Sequence, residues 1–170
     1  VAKFPHAMMV YVDAAIRQLY DAYGGDNAFL FLMGQPKRTE GRTLYVTPIE
    51  TELDDTLKED APYMAAMLRD ALHVQNAAAV FAAGEGGLSA EGLLSGLDGH
   101  LAAAREVGAE EMVAYRITGV RERTARETYR LTLERAIYDM DGNLIAATSR
   151  SARTGTLTPI ETVLYLFAQD

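Results

Sequence analysis

The hydrophobic period of this chain changes once, near Glu111, and that change constrains the fold more than any other feature. Upstream, apolar residues recur every three or four positions, the spacing that lines one face of an α-helix. Downstream they recur every second position, as in strands with one buried face. Such a chain places most of its helices first and a β-meander after them, with helices covering one or both faces of the sheet.

Local signals set the elements. Met9, Val12, Ile16, Leu19 and Tyr23 form one helical stripe, ended by Gly24 and Gly25. Ala28 to Met33 reads as a buried strand. A polar turn over 35–41 follows, and Leu44 and Val46 then form a second strand, expected to pair with the first as a hairpin. Glu50 to Asp60 is acidic and reads as an exposed loop. Pro62 suits the first turn of a helix that buries Met64, Met67, Leu68, Ala71 and Leu72. A small strand over 77–83 leads into a glycine-rich loop. Ser89 then caps a third helix carrying Leu93, Leu97, Leu101 and Ala104, ended by Gly108.

Beyond the change of period, Val113, Tyr115 and Ile117 share one strand face, and Tyr129, Leu131, Leu133 and Ile137 another. Asp141-Gly142-Asn143 marks a tight turn before Leu144, Ala146 and Thr148. Thr158-Pro159-Ile160-Glu161 is a capping box with proline at the first helical position. The expected architecture is α+β: a mixed sheet of about five or six strands with a C-terminal antiparallel meander, packed by three or four helices. One domain spans 1–170, with an extra N-terminal helix and strand over 1–42, a core over 43–155 and a C-terminal helix over 156–170. Thr-Pro-Ile-Glu-Thr occurs at both 47–51 and 158–162, but the flanking residues diverge at once, so it reads as chance reuse.

Composition excludes several functional classes. Half the residues are apolar and a quarter charged, which is globular and not disordered. The absence of cysteine rules out disulfides, thiolate catalysis and Cys-ligated metal. A net charge of −8 argues against nucleic acid as a partner. No apolar run approaches the length of a membrane-spanning helix. The chain starts Val-Ala-Lys-Phe-Pro, without an initiator Met, basic region or apolar core of a leader, so a signal or anchor is expected to have been removed or never to have existed.

Candidate chemistry is sparse. The loop Gly84-Glu85-Gly86-Gly87 with Ser89 could cradle a phosphate at a helix N-terminus, as a nucleotide or small-ligand site. It lacks the third glycine of a dinucleotide fingerprint and the Gly-Lys-Ser/Thr of a phosphate-binding loop, and Glu85 opposes an anion. His6, His73 and His100 lie in separate segments, so no metal is expected; His73 suits a helix C-terminus. Asp139, Asp141 and Asn143 resemble a calcium loop faintly, but they occupy a hairpin turn. Glu50, Glu52, Asp54 and Asp55 have no neighbouring base or nucleophile, and Asp54 and Asp55 read as candidates for partner recognition. No Gly-x-Ser-x-Gly elbow is present. Residues 116–153 carry eight arginines against five carboxylates, which makes the outward sheet face basic. Arg121, Arg123 and Arg126 in its first connection are the candidate contact residues for an anionic partner surface. Cross-strand pairs with Glu122, Glu127 and Glu134 are the alternative use of these arginines.

Three phrases carry a family resemblance: Thr43-Leu-Tyr-Val-Thr-Pro-Ile-Glu50, Gly108-Ala-Glu-Glu-Met-Val-Ala-Tyr-Arg-Ile-Thr-Gly119, and Tyr129-Arg-Leu-Thr-Leu-Glu-Arg-Ala-Ile-Tyr-Asp-Met-Asp-Gly-Asn-Leu-Ile145. Residues 43–155 resemble the periplasmic lipoprotein domains grouped with the amino-terminal domain of TolB, LpoB and the soluble part of CsgG. The resemblance implies a non-enzymatic accessory domain of the bacterial cell envelope, without cofactor or catalytic residue. It would bind an envelope protein or itself, and meet a membrane only through an upstream lipid anchor. It implies a periplasmic, outer-membrane-anchored location, with the cytoplasm as the alternative. The helix over 7–23 and the strand over 28–33 are additions to that pattern. The connection over 119–130 is too charged to face lipid, unlike the curli pore segments.

Overall fold

A computed structural model describes residues 6–23, 42–76, 78–84, 86–123 and 127–169. In chain order the elements are α1 (His6–Tyr23), β1 (Leu44–Val46), β2 (Glu50–Leu53), a 3-10 turn (Asp55–Leu57), α2 (Ala61–Gln75), β3 (Ala79–Phe81), α3 (Leu97–Glu106), β4 (Glu111–Arg123), β5 (Glu127–Tyr138), β6 (Leu144–Arg153) and α4 (Pro159–Ala168). The expected strand over 28–33, the turn over 35–41 and the Gly24-Gly25 helix end lie outside the described residues.

Among the described residues six strands join one sheet in the order β3-β1-β4-β5-β6, with β2 also beside β4. β3, β1, β2 and β4 run parallel, and β4, β5 and β6 form the antiparallel meander. The fold is therefore α+β, as the change of period implies. β1 pairs with 111–113 and β2 with 116–119, so they are two halves of one strand interrupted at Thr47-Pro48-Ile49. Proline lacks the N–H a ladder needs, which suits it to that break.

This corrects the reading of 50–60 as a loop. Four residues without alternation carry no strand signal. The parallel register from Glu50↔Arg116 to Leu53↔Gly119 supplies their backbone partners. A second correction concerns α3, which begins at Leu97 and not after Ser89. Gly92 and Gly96 take positive φ, at 77° and 72°, which no α-helix continues through. Residues 88–94 form instead a bridged arm, with Leu88 and Leu94 buried against the sheet and Leu93 71% exposed.

The arrangement makes three layers. One sheet face, carrying Val113, Tyr115, Ile117, Leu131 and Leu133, packs against α1, α2 and α4. The other, carrying Met112, Ala114, Ala136 and Tyr138, is covered by the 88–94 arm and α3. The α2 stripe is buried as its spacing predicts. In α1 the stripe holds only in part: Met9 and Ile16 are buried, Leu19 and Tyr23 are exposed, and Asp13 is buried with them. Both hydrogen bonds of the α4 capping box form, Glu161 N–H to Thr158 Oγ1 and Thr158 N–H to Glu161 Oε1. Thr158→Ala removes the first, and is expected to lower stability by about 1 kcal/mol in urea unfolding.

Candidate functional site

The glycine-rich loop is mostly structural. Gly86 takes a φ of 100°, and its carbonyl accepts a hydrogen bond from His100 Nε2 at 2.9 Å. Gly87 is packed so tightly over the β1–β2 break that a Cβ there would lie 2.5 Å from the Pro48 carbonyl oxygen. Ser89 Oγ accepts from Leu93 N–H at 3.2 Å and caps no helix. With α3 starting at Leu97, no helix N-terminus follows Ser89, so the loop serves as a connection. Gly84 lines a cleft beside α2, and Glu85 lies outside the described residues.

The basic strands are largely paired. Glu122 accepts from Arg130 at 2.7 Å and from Arg153 at 2.8 Å, which holds its carboxyl below the usual range. Arg116 is 8% exposed and is not part of an outward basic face; the 88–94 arm covers it. It pairs with Glu52 and donates to the Leu88 carbonyl. Arg121 is half-buried on β4, while the Arg123 side chain and Arg126 lie outside the described residues. Asp54 accepts from the N–H and the hydroxyl of Thr56, closing the 3-10 turn, and Asp55 is exposed on that turn. Asp139 accepts from the N–H groups of Asp141 and Asn143, so it is a turn residue with its carboxyl held low. No group of three His, Cys, Asp or Glu side chains among the described residues is arranged to hold a metal.

One cluster lies outside the candidates read from the sequence. Asp13 on α1 and Asp60 ahead of α2 are 2% and 4% exposed, and their carboxyl groups meet. Arg17 bridges Asp60 and Glu59. A small cleft of about 50 Å³ reaches the cluster, with Tyr129 and Pro159 on its wall. Burial and then the neighbouring Asp60 push the Asp13 carboxyl up to about 9, opposed by the Thr158 hydroxyl and the Ile160 N–H. Asp13 Oδ1 has no hydrogen-bond partner as a bare carboxylate oxygen. A proton placed between the two acids supplies the missing bond, which is how two carboxyls can share one buried site. The cleft holds little more than a water, so the cluster ties α1 to α2 and α4 and is not a substrate site. The signal that could have revealed it is the acid at position 13, inside the apolar stripe.

The other surface feature is the edge of the meander. β6 has ten residues, pairs with β5 on one side only among the described residues, and carries Arg150 and Arg153 but no carboxylate. At its start Leu144 and Ile145 are each 53% exposed. Beside it, a groove of about 340 Å³ runs between the 88–92 arm and strands β5 and β6, with Leu88, Ala136, Leu144 and Ala147 along it.

No protein-family model matches the chain, and no curated protein matches it in sequence. Among solved structures, the fold is similar to lipoprotein GNA1162 from Neisseria meningitidis, at 15% identity over 68% of this chain and 85% of that one, with a TM-score of 0.38. It is also similar to hypothetical protein CT253 from Chlamydia trachomatis, at 14% identity over 68% of this chain and 74% of that one, with a TM-score of 0.39. Likeness at this level concerns the arrangement of helices and strands alone.

Proposed function

We propose that this chain is a non-enzymatic docking domain of the bacterial cell envelope, which binds an extended segment of a protein partner along β6. The envelope setting rests on the resemblance of residues 43–155. The observation that carries the docking reading is the long edge of β6, which no described residue pairs, with a groove beside it that has Leu88, Ala136, Leu144 and Ala147 along it and Glu91, Glu134 and Arg135 at its rim. An edge strand offers a row of unpaired N–H and C=O groups, and an added strand gains affinity from them and specificity from side-chain pockets. Leu144 and Ile145 supply the apolar contacts.

Leu144→Asp combined with Ile145→Asp is expected to leave the fold intact, since both side chains are more than half exposed. The pair is expected to abolish photo-cross-linking from a probe placed at Thr148. Cross-linking in intact cells, read by mass spectrometry, distinguishes an envelope protein from a second copy of the chain. Adducts of equal yield from the double variant would overturn the assignment of this edge.

A further inference from the structure

We propose that the cleft at the carboxyl ends of β1 and β3 binds a small molecule through a carboxylate or phosphate group, with Arg69 as its clamp. This site is separate from the β6 edge and does not depend on the docking reading. Where parallel strands end, a crevice opens between the connections that leave them, and this is the common ligand position in parallel sheets. Here the opening is widened by the break in the strand at Thr47-Pro48-Ile49. The cleft has about 350 Å³, walled by that break, by Phe81 to Gly84 after β3, and by Ala65 and Arg69 of α2. That volume is at the small end of ligand clefts and is too small for a dinucleotide.

Three features point to an oxyanion. The Arg69 guanidinium carbon sits 5.0 Å from the centre of the Phe81 ring, which supports the plane of the fork while leaving its N–H edge available. Among the described residues Arg69 makes no ion pair and donates no hydrogen bond to a protein acceptor. Asp70, the next carboxylate along α2, is instead engaged by the Tyr20 hydroxyl at 2.5 Å. Thr47, on the cleft wall, is 1% exposed, and its hydroxyl has no hydrogen-bond partner. Buried hydroxyls are nearly always paired, and a ligand that displaced the cleft wall at this break would supply the missing partner. After β3, the Ala82 N–H is used by the Val46 carbonyl, whereas those of Ala83 and Gly84 bond to no acceptor among the described residues. A planar carboxylate or a phosphate matches a guanidinium fork with backbone N–H groups beside it. The apolar remainder of the molecule would rest on Phe81 and Ile49.

The test is a two-dimensional amide NMR titration of the full chain with inorganic phosphate and, separately, with benzoate. Saturable shifts of the Ala83 and Gly84 amides are expected with at least one of them, and which anion saturates first distinguishes a phosphate from a carboxylate ligand. Arg69→Gln is expected to weaken the effective anion at least tenfold, and Arg69→Lys less so. Lys58→Gln, exposed after the 3-10 turn and outside the cleft wall, serves as the control for general charge and is expected to leave the titration unchanged. The spectrum of each variant reports its folding in the same experiment. Absence of saturable shifts with both anions, or shifts that persist unchanged in Arg69→Gln, would overturn the site.

Discussion

Asp13→Asn is expected to stabilise the protein at neutral pH and to flatten its dependence on pH. The folded Asp13 carboxyl holds its proton to about 9, against 3.8 for the unfolded chain, because burial and Asp60 disfavour its ionised form. Below the lower value both states are protonated and the full contribution of the cluster is present. As pH rises, the unfolded chain releases the proton and the folded chain keeps it, so stability falls throughout the interval and levels off above it. The slope from this one group is on the order of 1 kcal/mol per pH unit. Asparagine places an N–H donor where the shared proton lies and keeps an oxygen for Thr158 and Ile160, so the loss disappears. Urea unfolding of both proteins at several values from pH 5 to pH 9 measures the difference, which is expected to widen with pH to a few kcal/mol. Arg17, Glu59 and Asp60 are the charged groups of the same cleft and are common to both proteins. A variant less stable than wild type at pH 7, with an unchanged slope, would show that an ionised Asp13 holds the cluster. Asp60→Asn is expected to act oppositely, because it strips Arg17 of its buried partner.

Gly87→Ala is expected to lower stability by about 2–3 kcal/mol, the cost of overpacking against backbone. The new methyl group would meet the Pro48 carbonyl oxygen at 2.5 Å and Glu50 Cγ at 2.6 Å, and the carbonyl cannot swing aside. The arm would lift, unburying Leu88, Leu94 and Arg116 together. Gly99→Ala is the contrast: it sits in α3 with no heavy atom within 4 Å of the added carbon. There the gain in helix propensity is expected to raise stability by about 0.5–1 kcal/mol. Thermal unfolding followed by circular dichroism separates the two, and equal effects at both positions would remove the packing role assigned to Gly87.

Much of the candidate surface was legible residue by residue. The meander and its edge follow from the alternation of 113–117 and 129–137 and from the turn at Asp141-Gly142-Asn143. The use of its arginines was less legible. Arg130 and Arg153 converge on Glu122 as cross-strand pairing allows. Arg116 obeys the same alternation and is nevertheless buried, because the face it occupies is covered by residues 28 positions upstream. The glycine-rich loop had the right composition for an anion site, but only its first residue, Gly84, reaches the cleft; the other donors come from Ala83 and from a helix earlier in the chain.

The amino-acid order by itself determined what depends on neighbours within a turn or two: the α2 stripe, the capping box of α4, the Asp139 turn, and the passage from helical to strand period. These are local because backbone geometry repeats within a few residues, so the spacing of apolar and capping groups specifies them. Tertiary structure alone decided that Glu50–Leu53 becomes a strand, that residues 88–94 become a covering arm, and that Asp13 meets Asp60. Each depends on a partner brought near by the folding of other segments, such as the ladder of β4 or a carboxyl on another helix. No pattern confined to the segment itself encodes where that partner will be.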